Sequence, residues 1–255
     1  MPISRPRRST RAELLDAPDV EPVALAENLR DLRSIGRLLG STAQCLRVLR
    51  PWLRQLPPGA PVSLLDIATG GGDGAALLGC AVRRAGYRVQ LIGSDRLAAA
   101  LQYAALAHPQ LHLLRHVAPA LPLADQAVDI AVLQLALHHF EPAEAPALLR
   151  EMTRVARRGV VVVDLQRSWA GYLGARLLSH GPWGELARHD GPLSALRAYT
   201  PAEVRQLAAV AGMVGAQVMT AGPLLLTLSY SVGGSGSGFA ANAYSSTTWP
   251  PIRCS

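Results

Sequence analysis

The 255-residue chain contains no lysine, so all 25 of its basic side chains are arginines. Its 18 acidic residues leave a formal net charge of +7, which raises the question of a nucleic-acid partner. A surface that binds nucleic acid concentrates its basic residues and interleaves them with aromatic ones. Here the arginines are spread along the chain and aromatic residues make up only 5% of it. The composition therefore does not favour a nucleic-acid partner.

Long apolar runs and patterned cysteines are also missing. The valine run at 160–163 has the length of a strand, far below the roughly 18 residues that a membrane-spanning helix requires. The basic N-terminus continues into Ala-Glu-Leu-Leu-Asp and lacks the apolar segment of a secretory signal. Cys45, Cys80 and Cys254 lack the spacing of metal ligands and indicate neither a disulfide framework nor a metal site. These absences predict a cytoplasmic protein with no membrane span.

What the chain does contain is a regular alternation of strand and helix patterns. The predicted strands are 62–67, 88–93, 111–114, 129–133, 159–164, 216–219 and 224–229. Strands that alternate with helices predict a parallel sheet covered on both faces. The last two strands are expected to form an antiparallel hairpin at the edge. The fold class is therefore α/β: a Rossmann-like, doubly wound, seven-stranded sheet, mostly parallel, with an antiparallel C-terminal edge strand.

The segments around this alternation have different patterns. Residues 1–20 are basic and predicted to be disordered, and helical spacing over 24–55 predicts an N-terminal extension of the fold. Residues 166–199, which contain Trp, Gly, His and Arg, interrupt the alternation and predict a lid inserted after the fifth strand. Residues 231–255 include Gly-Gly-Ser-Gly-Ser-Gly and predict a flexible tail. One domain over residues 21–230 is thus expected.

The most informative segment is 63–74, where a buried strand ends in Asp66 and runs into a turn with four glycines. Glycines allow a tight turn and a close approach of the backbone to a ligand. The next strand ends at Asp95, where a carboxylate can accept hydrogen bonds from both ribose hydroxyls of a nucleoside. The segment therefore predicts a nucleoside cofactor.

Two such cofactors fit the glycine spacing. Gly70-x-Gly72-x-x-Ala75 also satisfies the dinucleotide fingerprint, in which a helix N-terminus holds a pyrophosphate. Asp66 precedes the glycines, at a position where a pyrophosphate would be repelled and the cationic amine of S-adenosylmethionine (SAM) would be held. The acid favours SAM.

These motifs resemble those of the class I SAM-dependent methyltransferase superfamily, especially its small-molecule branch. Leu65–Gly72 is similar to the first family motif, with Ala68 in place of its first glycine, and Ile92–Asp95 is similar to the second. Leu121–Val132 and Leu137–Phe140 resemble the segment around the fourth strand. The resemblance covers about residues 62–165 closely and extends to about 229 by topology.

The resemblance implies SAM as cofactor and an enzyme that transfers its methyl group to a small hydrophobic or aromatic metabolite, on oxygen. A carbon methyltransferase of quinone or lipid type is an alternative, as is a binding protein that kept the fold and lost catalysis. The last alternative is motivated by Val117, which stands where the family has an acid that contacts adenine. The implied cofactor-binding residues are Asp66, Ala68, Thr69, Gly70, Gly72, Asp95, Arg96, Val117, Ala118, Gln134 and Leu135.

Three histidines are candidates for a general base. His138 and His139 end the fourth strand, at the edge of the sheet where ligands bind, although they could equally pack and cap that turn. His189 lies in the predicted lid, between Arg188 and Asp190. The apolar positions between Leu29 and Leu39 could pack on a partner, which leaves a homodimer open.

Overall fold

The computed structural model describes residues 5–17, 20–117 and 119–233. Its strands are β1 Pro61–Ile67, β2 Arg88–Asp95, β3 His112–Arg115, β4 Val128–Gln134, β5 Ala156–Leu165, β6 Gln217–Ala221 and β7 Leu225–Ser231. They form one seven-stranded sheet in the order β3-β2-β1-β4-β5-β7-β6. β1 to β5 are parallel, whereas β7 is antiparallel to both β5 and β6. The predicted fold class is confirmed, with one refinement: the antiparallel strand lies inside the sheet, and the C-terminal edge is β6.

Helices cover both faces of this sheet. They are α1 Pro22–Leu39, α2 Ser41–Leu53, α3 Asp73–Arg84, α4 Ala98–Ala107, α5 Ala145–Val155, α6 Trp169–Leu178, α7 Glu185–Arg197 and α8 Pro201–Val210. The predicted extension is divided into α1 and α2 because Gly40 adopts a left-handed conformation with a φ of 72°. The predicted start of α8 is confirmed, since Thr200 and Glu203 form a capping box ahead of it.

The core consists of two apolar layers, one on each face of the sheet. α5 and α8 pack against one face, and α2 and α3 pack against the other. β4 is buried from Val128 to Leu133 because both of its faces are covered, which explains why it is continuously apolar from Ile130 to Leu133 instead of alternating. This packing places the ends of β1, β2 and β4 side by side at the carboxyl edge of the sheet.

The N-terminal prediction was wrong for residues 5–17, which pack against the domain. We call this segment the strap. The backbone amides of Leu14 and Leu15 donate to the two carboxylate oxygens of Asp190 on α7, at 2.9 and 3.0 Å. Arg197 donates to the carbonyl of Arg11 at 2.7 Å. Because these contacts are polar and involve remote residues, no apolar pattern in the sequence announces them.

The predicted insertion at 166–199 contains α6 and α7, which pack against each other, and α7 also packs on α1 and on the strap. We refer to the strap, α1, α6 and α7 together as the cover. Most of the predicted tail, from residue 234 on, lies outside the described residues, as does Ala118. No helix in the described ranges combines the length and the apolarity needed to cross a bilayer.

Candidate functional site

The glycine turn after β1 has a backbone that only a few residue types adopt easily. Gly72 has a φ of 81°, and a Cβ there would lie 3.0 Å from Leu111. Ala68 has a φ of 53°, in the same left-handed region, although it carries a side chain. This conformation costs about 1–2 kcal/mol for a residue with a Cβ. The backbone of the turn is therefore strained at Ala68, the position at which the resembling family has a glycine.

Two cavities lie against this turn and are lined in part by it. Their volumes are about 470 and 150 Å³, and they share Ala68, Gly70 and Leu135. We call them together the turn crevice. The larger cavity contains Asp95 and the smaller one contains Asp66. The crevice thus extends along the carboxyl ends of β1, β2 and β4.

The Asp95 carboxylate is fixed by the backbone on both sides. Its Oδ2 accepts a hydrogen bond from the Gly70 amide and its Oδ1 accepts one from the Leu97 amide, both at 2.9 Å. A carboxylate oxygen has room for more than one donor. Asp95 is therefore held in one orientation and can still accept hydrogen bonds from a ligand in the larger cavity.

Asp66 is buried at the other end of the crevice. Thr69 donates its hydroxyl proton to Oδ2 at 2.8 Å, and the Gln134 amide nitrogen lies 3.4 Å from Oδ1. Burial raises the pKa of Asp66 to about 6, and the nearby Asp95 adds to this, although the hydrogen bonds from Thr69 and Gln134 oppose it. A cationic group placed beside Asp66 would pair with the carboxylate and stabilise its ionised form.

Most of the predicted cofactor residues line the turn crevice. They are Asp66, Ala68, Thr69, Gly70, Asp95, Arg96, Val117, Gln134 and Leu135. Gly72 does not line it, since it lies behind the turn against Leu111 and Ala104. The structure therefore brings these residues together, whereas their role in binding stays a prediction.

His116 also lines the larger cavity, and sequence reasoning missed it. The side chain is buried, both ring nitrogens lack a hydrogen-bond partner among the described residues, and burial lowers the pKa of the imidazole although Asp95 opposes this. The next residue, Val117, is 74% exposed. The only sequence signal for His116 was its position directly after β3 and next to Val117, where the resembling family has an acid.

A third cavity of about 160 Å³ lies between the sheet edge and the cover. Its lining is largely apolar and comes mainly from α1, α6 and α7, and its apolar positions include Leu32, Ile35, Leu39, Gly171, Gly174, Leu178, Trp183, Ala187 and Ala195. We call it the apolar cavity. It shares Leu15, Leu32, Leu135 and His139 with the larger cavity of the crevice. Leu135, at this junction, has a φ of 51°, and strained residues of this kind cluster at ligand sites.

One wall of the apolar cavity is polar and consists of Glu13, His138 and His139. His138 Nδ1 lies 2.7 Å from Asp164 Oδ1, and the His138 amide donates to Asp164 Oδ2 at 2.8 Å. His139 Nδ1 lies 3.3 Å from Asp16 Oδ1. Both Nε2 atoms face Glu13, each 3.8 Å from one of its carboxylate oxygens. We call these three residues the polar wall.

Nearby charges shift the pKa of His138 in the polar wall and that of its neighbour Asp16. Burial lowers the pKa of His138, but the charge and hydrogen bond of Asp164, with Glu13, outweigh burial and leave the pKa raised. Burial raises the pKa of Asp16, yet the hydrogen bond and charge of His139 and the nearby arginines lower it to about 2. Glu13 lies in the segment predicted to be disordered, so no sequence pattern selected it as a candidate.

The remaining candidate lies elsewhere. His189 is on the exposed side of α7, bonded through Nδ1 to the adjacent Asp190 at 2.8 Å, and it lines none of the three cavities. Of the three candidate histidines, only His139 lies at the junction of the turn crevice and the apolar cavity.

A family model described as a methyltransferase domain matches residues 65–163. No curated protein matches the chain in sequence. A SAM-dependent methyltransferase from Aquifex aeolicus is similar in structure, with 18% identity, a TM-score of 0.53 and coverage of 84% of this chain and 100% of that one.

Two further solved structures are similar to most of the chain. The plantazolicin methyltransferase BpumL, in complex with a triazolic desmethylPZN analogue and S-adenosylhomocysteine (SAH), has 15% identity and a TM-score of 0.60, over 82% of this chain and 89% of that one. Human N-acetylserotonin methyltransferase, in complex with SAM, has 16% identity and a TM-score of 0.58, over 84% of this chain and 57% of that one. At such identities the likeness is evidence for the fold.

Proposed function

We infer from the match of residues 65–163 to a methyltransferase-domain model that the chain belongs to the class I SAM-dependent superfamily, and we propose that it methylates a small hydrophobic or aromatic metabolite on oxygen. The observation that carries the proposal is the apolar cavity, which meets the turn crevice at Leu135 and His139. A methyl donor in the crevice and an apolar acceptor in the cavity would thus face each other at that junction.

The residues of the turn crevice fit SAM in chemical type. Asp95 would accept hydrogen bonds from the ribose hydroxyls, and Asp66, with Thr69 and Gln134, would hold the methionyl amine. When bound, SAM supplies a methyl group that its sulfonium makes electrophilic. The Leu135 side of the crevice would direct that methyl toward the apolar cavity.

We propose that His116 contacts the adenine ring. Its buried nitrogens have no described protein partner, and a buried polar group without a partner costs free energy. Adenine offers both donors and acceptors that could pair with an imidazole. His116 would then take the place of the family acid that is replaced by Val117, which argues against a degenerate binding protein.

The cover would position the acceptor and keep water out of the site. Methyl transfer needs the acceptor held in line with the donor and water kept away from both. α6, α7 and the strap close the apolar cavity from above, and this supports the predicted role of residues 166–199 as a lid. The proton of an acceptor hydroxyl would pass to the polar wall, which lies beside the junction at His139.

Radioactive methyl transfer tests the proposed function. The full chain is incubated with SAM labelled in its methyl group and with paired acceptors: hydroxylated aromatic compounds and the same compounds with the oxygen already methylated. Label should enter only the free hydroxyl compounds, in a form that nuclear magnetic resonance identifies as a methyl ether. Label on carbon would favour the quinone or lipid type of carbon methyltransferase, and SAH binding without any transfer would favour the non-catalytic binding protein.

A further inference from the structure

Glu13 is an unusual group in the described part of the chain. Its side chain is buried in the wall of the apolar cavity, with the residue only 5% exposed, and its Oε1 has no hydrogen-bond partner there. Buried carboxylate oxygens normally accept hydrogen bonds, because leaving one unsatisfied costs free energy. The wall of the cavity therefore holds a buried carboxylate oxygen without a hydrogen-bond partner; among the described residues that line this cavity, Gln166 Oε1 also lacks a partner, but it belongs to a neutral amide.

The charge of this carboxylate is balanced, although its lone pairs are not satisfied. Arg197 Nε lies 3.7 Å from Oε1, and the Nε2 atoms of His138 and His139 each lie 3.8 Å from one of the two oxygens. These distances are too long for hydrogen bonds but short enough for charge attraction. A cationic ligand would add positive charge where arginine already supplies it. A neutral O–H donor would supply the hydrogen bond that Glu13 Oε1 lacks.

We propose that Glu13 Oε1 binds the hydroxyl group of a neutral, apolar alcohol or phenol, and so determines which acceptors the enzyme uses. The proposal rests on the proposed function and names the chemistry of its acceptor. The hydroxyl would be held at the polar wall, beside the junction at His139. The apolar remainder of the molecule would lie among Leu32, Leu178 and Trp183.

The same contact gives the proton a destination. As the hydroxyl oxygen attacks, an O–C bond to the methyl carbon forms, and the C–S bond breaks with its electron pair moving to sulfur. The hydroxyl proton passes to Glu13 Oε1, so SAM cation, neutral alcohol and carboxylate become SAH, methyl ether and neutral carboxylic acid. Charge is conserved, and the carboxylic acid loses its proton to water when the ether leaves.

A metal ion is the competing occupant of the polar wall. Glu13, His138 and His139 offer ligand atoms that all lie within 4.8 Å of one another. Two imidazoles and one carboxylate are a common ligand set for divalent transition metals. The nearby Arg197 argues against a cation, and the experiment below separates the two occupants.

The test compares two probes of nearly equal shape, 1-naphthol and 1-methylnaphthalene, which differ in one hydroxyl group. Their dissociation constants for the SAH-loaded full chain are measured by equilibrium dialysis in wild type, Glu13→Leu and Glu13→Gln. Glu141→Gln serves as the matched control, because Glu141 pairs with Arg8 of the strap at 2.8 Å but does not line the apolar cavity. SAH affinity is measured for every variant.

The wild type should bind 1-naphthol about 10- to 100-fold more tightly than 1-methylnaphthalene, the range for a hydrogen bond to a charged group. Glu13→Leu should abolish this preference without weakening 1-methylnaphthalene or SAH, and Glu141→Gln should keep it. Glu13→Gln, which retains an acceptor oxygen but cannot take the proton, should keep part of the preference. Its rate of methyl transfer to 1-naphthol should be about 10²- to 10⁴-fold lower than that of wild type.

Several results would overturn the assignment. These are equal binding of both probes by the wild type, no binding of either, or a preference that persists in Glu13→Leu. Loss of the preference with a chelator and its return with Zn²⁺ alone would assign the wall to a metal instead. Failure of the proposed function looks different: the hydroxyl preference and its dependence on Glu13 would stand, while SAH bound normally and no label reached any oxygen.

Discussion

The sheet and the cover are each stabilised by a different kind of interaction. The sheet is stabilised by continuous apolar layers, and its ligand-facing turn is fixed by contacts such as Gly70 to Asp95, only 25 positions apart. The strap is fixed to the rest of the cover by arginine and carboxylate groups, and Arg8 and Arg197 are in contact across 189 positions. The difference indicates that cofactor binding depends on local chain patterns, whereas acceptor binding depends on polar contacts between remote segments.

The largest effect should come from Arg197→Met, which removes polar contacts within the cover and does not change the packing of the sheet. Arg197 is 4% exposed and donates to the carbonyls of Arg11, His138 and His139. Losing one partner of a buried charge network typically costs about 3–5 kcal/mol, so the free energy of unfolding in urea should fall by that amount. Trypsin should also cut faster in the strap. Arg188→Met, on the exposed side of the same helix, is the control. Equal stability of the two variants would show that the arginine network does not stabilise the cover.

Asp95→Ala is the converse change, made on the sheet side. It removes the carboxylate proposed to bind the ribose, and SAH should bind more weakly by about 1.5–3 kcal/mol, the range for charge-assisted hydrogen bonds. Calorimetric titration measures the change, and Asp125→Ala, at an exposed carboxylate, is the control. SAH binding that does not change would refute the placement of the ribose.

The pH dependence of SAH affinity sharpens the role of Asp66. Its pKa is about 6 without a ligand, and a bound ammonium group would lower it. Affinity should therefore be constant above about pH 6 and fall as Asp66 takes up a proton below it, by up to about tenfold per pH unit. Asp66→Asn should make the affinity flat over the same range. A wild-type profile that is already flat would show that the amine lies elsewhere.

His116→Phe should have a smaller effect, since it removes hydrogen bonds but keeps an aromatic ring against the cofactor. SAH affinity should fall by about 1 kcal/mol, the typical net value of one hydrogen bond. His116→Gln, which restores a donor and an acceptor, should recover part of it. Equal affinities for all three proteins would leave the buried imidazole unexplained by adenine.

Ala68→Gly should have the smallest effect and the opposite sign. Glycine removes the left-handed strain of about 1–2 kcal/mol but adds chain entropy in the unfolded state that offsets about half of it. Thermal unfolding should therefore show a gain of at most about 1 kcal/mol. A loss of stability would mean that the Ala68 methyl group makes packing contacts worth more than the strain.

The extent to which the sequence predicted the structure follows the same division. The strands, the glycine turn and the crevice residues were predicted because apolar runs and glycine spacing are local signals. Glu13 and His116 were not, since a single glutamate or histidine has no periodic pattern and its burial depends on distant neighbours. His189 was selected because it lies beside Asp190, yet the two serve different faces of α7: Asp190 holds the strap, and His189 is exposed.

The contact between the strap and α7 also bears on the order in which the protein is assembled on the ribosome. Residues 5–17 precede the groups that hold them, Asp190 and Arg197, by about 180 positions. The chain from β1 to β4, with most of the residues proposed to hold SAM, is also synthesised before those groups. The proposed donor side can thus fold while the proposed acceptor pocket is still open, and the strap reaches its final place after the sheet although it is made before it.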